Sequence, residues 1–235
     1  FALTHTYETV DVPTEEDADA FLPPYQATNC FDFEHPKNIG YSAGPDYNRY
    51  FKYYEHRDML GAFEAIDRVE ARFAECFGRA YTGPIEAVSC DDAEAVLVTL
   101  GSIAGLAHES VARLRKQGKR VGLLRIRYMR PFPAKLIAEA LAGAAAVGVL
   151  EKDISFGAEG TVFTNVNSAL QQAGCTTPTF NFIGGLGGDD ITSAQMDAMF
   201  DALLDSAGER SCDGAASKRS CDDASTGQGA GLGRV

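Results

Sequence analysis

Between residues 85 and 204, short apolar runs alternate with segments of helical periodicity, and this rhythm restricts the fold more than any other feature of the chain. After a short strand at Ile85–Val88, the runs are Ala95–Leu100, Val121–Ile126, 145–150 and Thr179–Ile183. The helical patterns are Ile103–Lys116, Ala134–Leu141, Thr161–Gln172 and 193–204. Near-continuous apolar strands separated by helices predict a parallel sheet covered on both faces, and right-handed crossovers complete a doubly wound domain. The predicted fold class is therefore α/β, a parallel-sheet three-layer domain over residues 84–205, preceded by an irregular arm and a long helix. The hydrophobic content of 45% is sufficient for such a core.

Residues 1–45 form the arm. Asp11 to Asp19 is acidic, and Pro23-Pro24 and Gly44-Pro45 interrupt any element. Tyr7, Phe21, Tyr25, Phe31, Phe33 and Tyr41 make it too aromatic for a disordered linker, so an ordered arm packing on another surface is expected. Residues 46–83 are a helical connector. Apolar and aromatic residues from Tyr47 to Phe77 recur at three- and four-residue steps, with Pro45 near the start, Gly78 just beyond the end and a potential break near Gly61. Its aromatic N-terminal part suits an interface, and 60–77 suits core packing. From Ser206 the chain turns to Gly, Ser, Asp, Ala and Arg, so residues 206–235 are expected to be a disordered tail.

In a parallel sheet the junctions that follow each strand lie on the carboxyl edge, where open α/β folds place ligands and partners. Leu100-Gly101-Ser102 is a strand-to-helix turn with Ser102 as the expected N-cap, and Gly101 and Gly105 permit close approach of a backbone or phosphate. In Arg130-Pro131-Phe132-Pro133, Pro133 suits the first turn of the next helix and Pro131 favours an extended Arg130. This rigid turn can present Arg127 or Arg130 to a carboxylate or phosphate, or pair either with a neighbouring acid. Glu151-Lys152-Asp153 ends a buried strand, and Glu151 is either a catalytic candidate by position or a structural partner of Arg127 or Arg130. Gly184, Gly185, Gly187 and Gly188 permit close approach to another surface, and nothing local accounts for them. Asp189 follows; Thr192 and Gln195 then form a capping box, with Ile191 and Met196 as its staple.

Other chemistry is absent from the pattern. The net charge of −12 argues against binding a nucleic-acid backbone. No apolar run reaches membrane-spanning length, and the start carries no signal-peptide pattern. The first residue is Phe1 rather than Met and opens inside a strand-like segment, so the chain is expected to be a fragment. Cys30, Cys76, Cys90, Cys175, Cys212 and Cys221 form no C-x-x-C and fit neither a zinc site nor an iron–sulfur run; free thiols in a cytoplasmic setting are expected. His5, His35, His56 and His108 give no ligand pair, and there is no nucleophile elbow or Walker lysine.

Taken together, Val96 to Ser102, Val121 to Arg127, Arg130 to Pro133, Val149 to Lys152, Ser155-Phe156-Gly157 and Gly184 to Thr192 resemble the α subunit of the pyruvate:ferredoxin (2-oxoacid:ferredoxin) oxidoreductase family. Leu3 to Glu8, Phe21 to Tyr25 and Gly44 to Tyr47 extend the resemblance, which covers residues 1–204. It implies that residues 1–45 are the end of a thiamine-diphosphate (pyrimidine-binding) domain with its connecting arm. Residues 84–205 would then be a transketolase C-terminal-like domain.

The implied reaction is oxidative decarboxylation of pyruvate with coenzyme A to acetyl-CoA and carbon dioxide, with electrons passing to ferredoxin. Thiamine diphosphate, Mg2+ and iron–sulfur (4Fe-4S) clusters would belong to the holoenzyme, and beta, gamma and delta subunits would be partners. Nucleic acid and membrane are not expected as partners. The family's cofactor-activating and substrate-binding residues fall outside the matched positions, so the resemblance assigns no catalytic, cofactor-binding or metal residue to this chain. It leaves Arg127, Arg130, Glu151, Gly184, Gly185, Gly187, Gly188 and Asp189 as interface candidates. The family pattern reads G-G-L-G-G-R-D-I-T where this chain has Asp189, which weakens any anion-binding role for the loop. Two alternatives share the fold: the C-terminal domain of another thiamine-diphosphate enzyme (a 2-oxoacid dehydrogenase β subunit or a transketolase), and a non-catalytic nucleotide-binding module.

Overall fold

The computed structural model describes residues 11–40, 42–81 and 83–213, with side chains through 208. His5 and the segment around it, Tyr7, Tyr41, Cys221 and residues 214–235 lie outside the described residues. What is described divides into two compact units, up to Gly83 and from Pro84 onward.

The first unit is helical. The expected irregular arm contains a two-turn helix, α1 (Glu15–Phe21). Thr14 starts it with a capping box: the Asp17 N–H donates to the Thr14 hydroxyl at 3.2 Å, and the Thr14 N–H donates to the Asp17 carboxylate at 3.4 Å. The acidic first turn of Glu15, Glu16 and Asp17 suits the positive end of the helix dipole. α2 (Pro45–Phe77) is one unbroken helix of 33 residues, with Gly44 at the N-cap and no break at Gly61. Gly78 closes it in the left-handed region at φ 65°.

The core packing expected over 60–77 does not occur, since α2 has no buried residue and Leu60 and Val69 are exposed. Phe63, Ile66, Phe73 and Phe77 are half-buried, and the ring contacts gather at its last turns. There Phe21 meets Phe73 and Phe77 edge-on at 5.6 and 5.3 Å, and the Arg72 guanidinium donates to the Ala20 carbonyl. Of the arm's described aromatic residues, Phe21 is packed, whereas Tyr25, Phe31 and Phe33 are exposed.

The second unit carries the expected α/β fold. Its strands are β1 (Ile85–Val88), β2 (Ala95–Leu100), β3 (Val121–Ile126), β4 (Ala146–Glu151) and β5 (Thr179–Ile183), in the order β1-β3-β2-β4-β5. The last four are parallel, with Ala95 opposite both Val121 and Ala146, and Glu151 opposite Ile183. β1 departs from the expected parallel sheet. It runs antiparallel along the outer edge of β3, from Ile85 opposite Ile126 to Val88 opposite Leu123. The connection from β1 to β2 is too short for a crossover helix, so β1 reaches the sheet edge by reversing direction.

Helices α3 (Ile103–Lys116), α4 (Ala134–Leu141), α5 (Thr161–Gln172) and α6 (Ser193–Asp213) complete three layers. Alternation along β2 sends Val96 and Val98 to the face covered by Ile137, Leu141, Val162 and Val166 of α4 and α5. Leu97 faces Val111, Leu114, Met196, Phe200 and Leu203 of α3 and α6. Full burial of side chains such as Phe200 and Leu203 contributes roughly 1.5–3 kcal/mol each. Gly148 in β4 allows this closure, because a Cβ there would lie 2.8 Å from Phe182 and 2.9 Å from Leu203.

Residues 206–213, expected to be disordered, are helical. α6 continues through Asp213, and Ala207 is buried on the same face as Leu203. No helix among the described residues is long and apolar enough to cross a membrane.

Candidate functional site at the carboxyl edge of the sheet

The chain leaves β2 for β3 on one side and returns to β4 on the other, with α3 and α4 on opposite faces. The carboxyl ends of β2 and β4 therefore flank the topological switch point, the crevice where such sheets bind ligands. Gly101-Ser102 and Glu151-Lys152-Asp153 border it.

Glu151 is buried at the end of β4, and its carboxylate is directed onto the N-terminus of α5. The Val162 N–H donates to Oε2 at 2.7 Å, and the Phe163 N–H donates to Oε1 at 3.2 Å. These are the N2 and N3 donors that a capping side chain would satisfy, and the N-cap residue here is Gly160, which has none. Asn181 of β5 completes the arrangement. Its amide donates to Glu151 Oε1 at 2.8 Å, and its carbonyl accepts from the Gly160 N–H at 2.9 Å.

Burial pushes the Glu151 pKa up, and the nearby Asp153 carboxyl acts in the same direction, while the Val162, Asn181 and Phe163 donors oppose it. The expected pairing with Arg127 or Arg130 does not form. A buried carboxylate with its acceptors committed to backbone and amide donors is a helix cap from a neighbouring strand, with little left for acid–base work.

The two arginines have other partners. The Arg127 N–H donates to the Pro84 carbonyl at 2.9 Å, and its guanidinium stacks over Tyr128. Arg130 donates to the Met129 carbonyl at 2.7 Å and to the Asn165 side chain at 3.3 Å, and it stacks over Phe132. The Arg130–Pro131 peptide is cis. Pro133 occupies the N-cap of α4 itself, accepting from the Ile137 N–H at 3.0 Å. Ser102 is not the cap expected of it: its backbone is already helical and its side chain makes no capping bond.

The glycine-rich loop after β5 has a local explanation that the sequence pattern lacked. The Gly184 N–H donates to the Glu151 carbonyl at 3.2 Å. Gly185 has φ 72°, and a Cβ there would lie 2.8 Å from the Lys152 side chain. Gly187 and Gly188 also have positive φ, both within a short 3-10 turn, Leu186–Gly188. Asp189 is exposed. The capping box at Thr192 is present as expected, with the Gln195 N–H donating to the Thr192 hydroxyl at 3.3 Å and the Thr192 N–H donating to the Gln195 side-chain Oε1 at 2.8 Å. Ile191 and Met196 both join the α3/α6 face of the core.

Sequence reasoning missed Asn181 and the role of Gly160. The available signal was an Asn inside an otherwise apolar strand, a residue that needs a partner when buried.

Among the described residues the thiols do not assemble into a cluster-ligand set. Cys90 is buried and donates its thiol to the Leu123 carbonyl at 3.3 Å, and burial pushes its pKa up to about 11. Cluster ligation requires thiolates. Cys30, Cys76 and Cys175 are free, and no group of three or more His, Cys, Asp or Glu suited to a metal ion occurs among the described residues.

The fold and its carboxyl edge define a doubly wound α/β domain whose strand-end carboxylate caps the neighbouring helix. Residues 93–196, from the start of β2 into α6, match the family described as pyruvate:ferredoxin oxidoreductase core domain II. Pyruvate synthase subunit PorA of Methanothermobacter thermautotrophicus is 40% identical over 197 residues, covering 84% of this chain and 50% of that protein. PorA of Methanosarcina barkeri is 38% identical over 192 residues, 81% of this chain and 48% of that protein. Ketoisovalerate oxidoreductase subunit VorA of Pyrococcus abyssi is 38% identical over 200 residues, 85% of this chain and 51% of that protein. The chain spans about half the length of these curated relatives. It belongs to the α-subunit family of the 2-oxoacid:ferredoxin oxidoreductases.

Proposed function

We propose that this chain supplies core domain II of the α subunit of a 2-oxoacid:ferredoxin oxidoreductase, and that it is a scaffold there. In this reading its carboxyl-edge loops, with Arg127, Arg130, Gly184, Gly185, Gly187, Gly188 and Asp189 among them, hold neighbouring domains or subunits. Glu151 shapes the edge from within.

The assembly oxidatively decarboxylates pyruvate with coenzyme A to acetyl-CoA and carbon dioxide, with electrons passing to ferredoxin. Beta, gamma and delta subunits are its partners. Thiamine diphosphate, Mg2+ and the 4Fe-4S clusters are held elsewhere in that assembly, in the cytoplasm. The observation that carries the reading is the 40% identity to a pyruvate synthase subunit, maintained over 84% of this chain. The commitment of Glu151 to the α5 N-terminus supports a scaffold over a catalytic edge.

The test is reconstitution of the oxidoreductase with and without this chain, measuring pyruvate-dependent reduction of ferredoxin. Activity that requires the chain, with none from the chain alone, is expected. Turnover of pyruvate by the chain alone with added thiamine diphosphate would overturn the scaffold reading. Activity with 2-ketoisovalerate in place of pyruvate would transfer the assembly to the specificity named for the VorA relative.

A further inference from the structure

The loops that follow β4 and β5 are neighbours on the carboxyl edge and are joined at their bases. The Gly184 N–H donates to the Glu151 carbonyl, and the Lys152 stem lies along Gly185. Their tips present apolar side chains to solvent: Phe156 is 99% exposed and Leu186 is 48% exposed. A phenylalanine held wholly in water adds nothing to the core of this unit, yet the loop that carries it is anchored by the buried Glu151–Asn181–Gly160 network. The same two loops carry Asp153, Glu159, Asp189 and Asp190, all exposed. The only basic residue in 152–160 and 184–190 is Lys152.

We propose that the two loops form one docking surface, with Phe156 and Leu186 as apolar anchors inside an acidic rim, and that its occupant is a basic face of another subunit offering an apolar socket. This rests on the reading of the chain as a domain of a multi-subunit oxidoreductase. Aromatic anchors at the centre of an interface carry most of its affinity, and rim charges set partner choice and association rate. The fixed loop bases present the anchors with little ordering cost. A second copy of the chain is a poor occupant, because at a net charge of −12 it would bring an acidic rim against an acidic rim.

The test measures binding of the full 235-residue chain to the purified remaining subunits of its oxidoreductase over a salt series, beside F156A and the double variant D189K/D190K. All three positions are exposed, and circular dichroism verifies the fold of each variant. F156A is expected to weaken binding about tenfold or more at every salt concentration, as expected for a central anchor. The charge reversal is expected to weaken it about tenfold at low salt and to flatten the salt dependence. Wild-type affinity in both variants would overturn the surface and leave the domain reading intact. Failure of the wild-type chain to bind any subunit would overturn the domain reading and the surface with it. Tighter binding on charge reversal would overturn the basic partner. Self-association of the wild-type chain that F156A abolishes would make a second copy the occupant and overturn the proposal.

Discussion

The Glu151 carboxylate occupies the space that a Cβ on residue 160 would need, so the strand-end acid and the glycine at the start of α5 are mutually dependent. The acid must lie against the backbone of residue 160 to reach the Val162 and Phe163 N–H groups. Gly160→Ala is expected to cost about 1–3 kcal/mol by overpacking, read from urea unfolding of the full chain. Glu151→Ala frees the space, so the double variant should be less destabilised than the sum of the singles by about 0.5 kcal/mol or more. Strict additivity would show that the two residues do not compete for this space.

The same carboxyl gives stability a pH dependence of defined sign. Burial raises its folded-state pKa above the ordinary 4.5, so the folded protein binds the Glu151 proton more tightly than the unfolded chain does. Its contribution is therefore fully present below about pH 4.5 and declines as pH rises through the folded value. Glu151→Gln removes this titration from the folded protein. The stability difference between the two should shift in favour of the Gln variant as pH climbs from 4.5, measured by denaturant midpoints across the range. A difference that is flat with pH would mean that the donors of Val162, Phe163 and Asn181 fully compensate the burial.

The parts of this fold that were legible in the sequence are those governed by period and local chemistry. β2, β3 and β5 follow continuous apolar runs to the residue, and the Thr192–Gln195 box starts α6 where the pattern places it. The reversed direction of β1 was not legible, because a four-residue strand such as Ile85–Val88 carries no sign of which way it runs. The role of Glu151 was hidden for a different reason: Asn181 lies 30 residues away along the chain and becomes a neighbour only once β4 and β5 pair. α1 was a missed local signal. Thr14 and Asp17 spell a capping box, but the acidic run that contains them resembles a solvated segment.

Cys90 and Cys30 should react very differently with a thiol reagent. The Cys90 thiol is buried and its pKa is pushed up to about 11, so at pH 8 almost none of it is thiolate. Cys30 is exposed. Peptide mapping after brief treatment of the native chain with a maleimide is expected to find Cys30 labelled and Cys90 protected, with Cys90 becoming reactive only in denaturant. Rapid native labelling of Cys90 would mean that the strand pair β1–β3 opens readily around it.

Gly61 lies near the middle of α2, and a Cβ there meets nothing within 4 Å. The backbone at this position is helical, so alanine loses none of its contacts and restricts the unfolded chain. Gly61→Ala should stabilise α2 by about 0.5–1 kcal/mol, visible as increased helical signal at elevated temperature. A destabilised variant would show that the missing side chain makes room for something seated on this helix.

Thr99, the penultimate residue of β2 beside the switch point, is fully buried, and its hydroxyl has no hydrogen-bond partner among the described residues. It stands opposite Leu150 of β4 and Arg125 of β3, and the alternation of β2 places it on the same face as Leu97. An unsatisfied buried hydroxyl costs about 1–3 kcal/mol of desolvation. Valine keeps the shape and the β-branched fit to the strand while removing that cost. Thr99→Val is therefore expected to raise the unfolding free energy by about 1 kcal/mol, with an unchanged denaturant slope. The companion Thr99→Ser keeps the hydroxyl and loses a methyl, and should destabilise by about 1 kcal/mol. Thr99→Val proving as harmful as Thr99→Ser would mean that the hydroxyl is satisfied in solution, and the carboxyl end of β2 would then hold a polar partner at the switch point.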